Sequence, residues 1–152
     1  MSPGKISKRV VADRLNWINK MIQEIKSLPI EGYDSFALDK RNSLAAESCL
    51  RRSLEALMDL GRHILAKGFS RGVSEYKEIA SGLEEAGIFN EAKSAKFKTL
   101  AGYRNRMVNF YNEISNDELY QICSSQLSDI IDVAEVIKRW VNKNPDIMDE
   151  KL

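Results

Sequence analysis

From Val11 onward the apolar positions Leu15, Ile18, Ile22 and Ile25 recur at steps of four, three, four and three, which gathers them on one face of an α-helix. Leu28 and Pro29 close that helix, because the residue before a proline is pushed out of the helical region. Residues 29–38 mix Gly32, Tyr33, Asp34 and Ser35 without a period and read as a loop. A second helical stripe runs through Leu50, Leu54, Leu57, Gly61 and Ile64, with Gly68 placed to stop it in a left-handed conformation. A shorter helix is predicted over 74–86, carrying Tyr76, Ile79, Ala80 and Leu83 on one side and ending at Gly87. Asn90 caps a fourth helix through Ala92, Ala95, Leu100, Met107 and Ile114. Ser115 and Glu118 have the spacing of a capping box and open a fifth. There Leu119, Ile122, Cys123, Leu127, Ile130, Ala134, Ile137 and Val141 keep a helical period until Pro145 follows the end. No alternating run is long enough for a strand, so the pattern predicts an all-α antiparallel bundle of about five helices with short connections.

The composition supports one globular domain spanning 1–152: the 152 residues are 43% hydrophobic and 30% charged, with only 3 Pro and 8 Gly, and no repeat or linker divides them. Such a chain buries roughly two thirds of its unfolded surface, which excludes a disordered, collagen-like or disulfide-built protein. Lys plus Arg number 23 against 22 Asp plus Glu, a net charge of +1. Bulk charge therefore gives no reason to expect DNA or a membrane as partner, and any anion site must be a local patch. Cys49 and Cys123 are far apart, and with no signal peptide or membrane-length apolar run they read as reduced core thiols in a cytosolic protein. A single histidine, His63, and the lack of CxxC or HExxH leave no expected metal and no expected cofactor.

The segment 103–112, YRNRMVNFYN, carries the candidate chemistry. At 100° per residue Leu100, Tyr103, Met107, Phe110 and Ile114 share a core arc, while Arg104, Asn105, Val108, Asn109, Tyr111 and Asn112 occupy the adjoining one. An arginine, a phenol and three carboxamides beside an apolar stripe suit a groove or a symmetric interface. Arg104 stays charged at any working pH and its fork matches phosphate oxygens. Asparagine is a weak helix former, so three on one stripe ask for a compensating role, met equally by a ligand site or by an interface network.

The run RNRMVNFY resembles the R-x4-H-x-Y signature of HepT-like proteins of the HEPN superfamily, whose usual wording is close to RN-x-x-V-H-x-Y. The similarity extends over 11–141: LGRHILAKG upstream, then GFSRGVSEYKEIASGLEEAGIFNEAKSAKFKTLAGY, and ISNDELYQICSSQLSDIIDVAEVIKRWV downstream. The resemblance implies a small helical bundle that forms a homodimer with its motif helices facing across a cleft. It further implies a metal-independent ribonuclease toxin, neutralised when a minimal nucleotidyltransferase antitoxin adds AMP to the motif tyrosine. On this reading Arg104 is the motif arginine, Asn105 the polar residue after it and Tyr111 the modified tyrosine. Asn109 stands where the family has its catalytic histidine.

That departure changes the expected chemistry. Cleavage through the 2′-hydroxyl needs one group to take a proton and another to give one, and a carboxamide does neither near neutral pH. Asn109 can orient a phosphate or ribose by hydrogen bonding while Arg104 stabilises charge, at a cost of about 10²–10⁴-fold in rate for the lost proton transfer. His63, beside Ile64 and Leu65, reads as a packed core residue rather than a substitute. Arg51, Arg52, Arg62, Lys67 and Arg71 form either a basic rim for RNA or a solvated helix face. Three functions stay open: an attenuated endoribonuclease toxin, a catalytically silent dimer that binds RNA, a nucleotide or a nucleotidyltransferase, and a structural dimer whose asparagine stripe is an interface.

Overall fold

The computed structural model describes residues 5–109 and 114–149. Its architecture is all-α, as the periodicity predicts, with seven α-helices among the described residues. They are α1 (Lys8–Lys26), α2 (Tyr33–Leu38), α3 (Lys40–Phe69), α4 (Tyr76–Glu85), α5 (Glu91–Asn109), α6 (Asn116–Ser125) and α7 (Leu127–Lys143). Two-residue strands, β1 (Ile6–Ser7) and β2 (Met148–Asp149), pair in parallel and tie the two ends of the chain together. No alternation can develop over two residues, which is why the sequence pattern leaves them out.

The 30-residue α3 is the axis of the bundle. It buries Leu50, Leu54, Leu57, Leu60, Ile64 and Leu65 together with Ala46, Ser53 and Ala56, so neighbours cover it on several sides. Helix α1 runs antiparallel to it, with Ser7 against His63 at one end and Glu24 beside Cys49 at the other. Helix α5 also runs antiparallel to α3, Phe97 lying near Gly61 and Arg104 near Glu55. It is antiparallel to α7 as well, with Lys96 paired to Asp129 and Asp132 and the Tyr103 hydroxyl donating to Gln126 Oε1 at 2.8 Å.

Helix α4 comes closest to α3 through glycines on both sides. A Cβ on Gly61 would stand 2.7 Å from Ile79 Cγ2 and 3.2 Å from Leu83 Cδ1, and one on Gly82 would stand 2.7 Å from Leu65 Cδ1. Each glycine receives the other helix's branched side chain where any larger residue would hold the backbones apart.

Several boundaries differ from the sequence expectation. The loop expected over 29–38 contains α2, whose buried Phe36 lies 5.5 Å from the Tyr120 ring on α6. One short turn with one buried side chain leaves no period to read. Gly68 does not stop α3: it is buried inside the helix against Ile6, and Ser70 takes the left-handed conformation at φ 53°. Close approach, not backbone freedom, is what glycine supplies there. The fifth helix is two, broken at Gln126, because Leu127 and Ile130 resume the buried face after the break and the apolar period carries across it. The expected continuation of the fourth helix past Asn109 falls partly on 110–113, outside the described residues. Gly87 ends α4 with φ +79° as expected, Asn90 Oδ1 accepts from the Lys93 amide at 2.8 Å, and Ser115 Oγ accepts from the Glu118 amide at 3.1 Å.

Gly61→Val forces two methyl groups against Ile79, Leu83 and Phe97. Overpacking of this kind costs about 2–3 kcal/mol. Urea denaturation is expected to show that loss as a lower midpoint with an unchanged slope.

Candidate functional site

Helix α5 crosses the middle of α3, and its outward edge there carries Arg104 and Asn105. The Arg104 side chain is 28% exposed; its Nε lies 3.5 Å from Glu55 Oε1, and its Nη1 donates to Asn105 Oδ1 at 3.2 Å. Nε is buried and has no hydrogen-bond acceptor among the described residues, so Glu55 attracts it as a charge without satisfying its N–H. Glu55 also accepts from Arg51 Nη1 at 3.2 Å, placing one carboxylate between two guanidinium groups. One turn on, Arg62 Nη1 donates to Asp59 Oδ1 at 3.0 Å and its Nη2 to the Ser74 carbonyl at 3.1 Å, which anchors the approach to α4 onto α3.

These contacts enclose a cleft of about 410 Å³ lined by Met58, Arg62, Tyr76, Lys77, Arg104 and Asn105, among others. Glu55 and Asp59 border a smaller recess of about 90 Å³ next to it. A groove of about 420 Å³ between α1 and α7 is mainly aliphatic, with Val11, Leu15, Ile18 and Ile22 in its wall, and contains no motif residue.

The structure thus brings Arg104 and Asn105 into one cleft. Asn109, the last described residue of α5, is exposed beside the exposed Val108 and does not line that cleft. Tyr111 and Asn112 lie outside the described residues, as does Phe110 of the expected core arc, whereas Leu100 and Met107 of that arc are buried. The neighbouring Arg106 serves α6: it holds Glu118 through a two-pronged pair at 2.7 and 2.8 Å, and that guanidinium keeps the Glu118 carboxyl below its ordinary pKa. The basic rim divides. Arg62 joins Arg104, Arg51 is taken by Glu55, Arg71 pairs with Glu85, and Arg52 and Lys67 are exposed on α3. Met58, Tyr76 and Lys77 carry no local motif and reach the site only through the docking of α4 on α3.

His63 faces away from the cleft. Its Nε2 accepts the Ser7 backbone N–H at 3.0 Å, which requires that nitrogen to be unprotonated. Burial, then the charges of Lys67 and Arg14, hold its pKa below the ordinary histidine value. Cys123 is buried and its pKa is pushed up to about 12; burial raises that of the half-buried Cys49 too, so neither is an activated thiol. Among the described residues no group of three His, Cys, Asp or Glu side chains is placed to hold a metal ion, and no helix is long and apolar enough to cross a membrane.

The model of the ribonuclease HepT-like family matches residues 18–137. Similar solved structures include a toxin–antitoxin complex with AMP-PNP, 20% identical with a TM-score of 0.77, covering 87% of this chain and 99% of that one. Another is a tri-AMPylated Shewanella oneidensis HEPN toxin in complex with MNT antitoxin, 22% identical, TM-score 0.77, covering 86% and 97%. YutE, a cytosolic protein of unknown function from Bacillus subtilis, is 17% identical with a TM-score of 0.76 over 92% and 94%. At these identities the structural likeness shows the shared all-α fold. No curated protein matches the sequence.

Because the folded state lowers the His63 pKa, the unfolded chain binds this proton first as pH falls. The contribution is fully present above about pH 6.5 and is lost as pH drops from there toward the depressed native pKa. Chemical denaturation of wild type between pH 7.5 and 5.5 is expected to show this loss, and His63→Gln, less stable at pH 7.5, is expected to lose less over the same range.

Proposed function

The chain belongs to the ribonuclease HepT-like family, and from this we propose that it is the toxin of a toxin–antitoxin pair, a metal-independent endoribonuclease slowed by Asn109. Its antitoxin is a minimal nucleotidyltransferase that adds AMP to Tyr111, a reading supported by the tri-AMPylated toxin and MNT antitoxin among its structural relatives. The protein works as a homodimer in the cytoplasm, and the exposed Val108 and Asn109 at the end of α5 offer a surface for the second copy.

The observation that carries the proposal is Arg104, a half-buried guanidinium at the edge of a cleft, with an Nε–H that has no acceptor among the described residues. In this reaction the ribose 2′-oxygen loses its proton and attacks phosphorus, and the bond from phosphorus to the 5′-oxygen breaks. The products are a 2′,3′-cyclic phosphate and a 5′-hydroxyl once that oxygen is protonated. Arg104 lowers the barrier by meeting the charge that builds on the non-bridging oxygens. Asn109 supplies hydrogen bonds but no proton transfer, so water carries the protons and the reaction is slow.

A second reading, a dimer that binds RNA, a nucleotide or the nucleotidyltransferase without cutting, is favoured by the same position: Asn109 is exposed and lies apart from the Arg104 cleft.

Cleavage of end-labelled RNA in the presence of a chelator separates the two. Slow cleavage by wild type, its loss in Arg104→Ala, and acceleration of about 10²–10⁴-fold in Asn109→His are expected. Silence of both wild type and Asn109→His, with RNA still bound, would establish the second reading instead.

A further inference from the structure

We propose that the cleft beside Arg104 is a nucleotide subsite for single-stranded RNA. It receives the nucleotide next to the phosphate at Arg104, and Lys77 binds that nucleotide's far phosphate. The inference rests on the RNA reading of Arg104 and adds to it residues from α3 and α4.

The volume of about 410 Å³ falls within the roughly 300–1,000 Å³ of small-ligand sites. The walls combine the two chemistries a nucleotide needs: the half-buried aromatic side chain of Tyr76 lines the cleft beside the almost wholly buried Met58, and Arg62, Lys77 and Arg104 present cations to phosphates. The three cations are not equivalent. Arg62 is held by Asp59 and the Ser74 carbonyl, and Arg104 is drawn by Glu55, so both act with part of their charge already answered. Lys77 is exposed and has no carboxylate partner among the described residues. It is the cation with an unspent charge, and Glu75 beside it is the opposing charge that a bound phosphate must tolerate.

Competition from the existing pairs is mild. The Arg62 and Asp59 side chains are 36% and 51% exposed, and ion pairs of that exposure contribute little, so a phosphate can replace a carboxylate there. A protein partner would also meet the cations, but a concave cleft with an aromatic wall fits an unstacked base better than a flat acidic surface.

Fluorescence anisotropy with a labelled 2′-O-methyl oligoribonucleotide, which cannot be cleaved, tests the subsite apart from catalysis. Lys77→Glu is expected to weaken binding at least about tenfold, and Lys77→Ala to reduce the slope of log affinity against log salt by about 0.7, the loss of one phosphate contact. Tyr76→Leu, confirmed folded by its thermal melt, is expected to weaken binding about five- to a hundredfold through lost stacking. Lys138→Glu on the far groove controls for net charge and leaves affinity near that of wild type. If both Lys77 variants keep wild-type affinity and slope while Arg104→Ala weakens binding, the subsite is overturned and the role of Arg104 stands. Failure of the wild type to bind RNA overturns both. A change in oligomeric mass in Lys77→Glu with RNA affinity unchanged overturns the subsite and assigns the cleft to a protein contact.

Discussion

The close approach of α4 to α3 is the constraint on which the candidate site depends. Gly61 and Gly82 each admit a branched side chain from the opposite helix, Ile79 and Leu83 on one side and Leu65 on the other. A wider spacing would lift the start of α4 away from Met58 and Arg62, and Tyr76 and Lys77 would no longer wall the cleft that Arg104 enters from α5. The Arg62 bond to the Ser74 carbonyl fixes the same junction from outside. Core packing and site geometry are therefore one problem: two glycines on facing helices decide whether side chains as close as Arg62 and Tyr76 and as distant as Met58 and Asn105 in sequence share a cavity.

Electrostatics then divides two arginines that a sequence pattern treats alike. Arg106 makes a two-pronged pair with Glu118 and joins α5 to the first turn of α6, across the segment 110–113. Arg104, two residues earlier, meets Glu55 at 3.5 Å, and its Nε–H has no hydrogen-bond acceptor among the described residues. The first pair has the geometry of a strong charge-assisted bond, and the second does not. Arg106 spends its donors on the fold, whereas Arg104 retains an Nε–H without an acceptor among the described residues, and the difference is readable only once the partners are placed.

What the sequence made legible follows from how far each signal reaches. The stripes 11–25, 50–64 and 119–141 are local patterns, and they identified the long helices and the fold class. The break at Gln126 was hidden because the buried face resumes in phase at Leu127 and Ile130, while the Tyr103 hydroxyl that holds the junction comes from a residue 23 positions away. Gly68 misleads as a stop signal because a glycine that permits a left-handed turn and one that permits close contact with Ile6 are the same letter. At the site, Arg104 and Asn105 stood out through their motif, but Met58, Tyr76 and Lys77 could not, since only tertiary docking gives them a common function. The scattering of Arg51, Arg52, Lys67 and Arg71 has the same cause: helical phase places them on α3 or just after it, but carboxylates on other turns decide which remain available.

The arrangement of charges also bears on how such a cleft discriminates among ligands. Glu75 lines it, and Glu55 and Asp59 border the recess beside it, so a lone phosphate that enters exchanges weak carboxylate contacts on two guanidinium groups for contacts of similar strength. A polynucleotide enters on different terms. For the proposed RNA ligand, stacking on Tyr76 would add a favourable contribution that no free phosphate has, and each further phosphate along the strand would neutralise another cation while releasing counterions. The carboxylates thus lower the affinity for every anion by a similar amount, and only a ligand that also presents an aromatic face and a second phosphate recovers it. A uniform penalty leaves the ratio of affinities unchanged, so the carboxylates set a threshold that the proposed RNA strand, with its added stacking and second phosphate, clears and a lone phosphate does not.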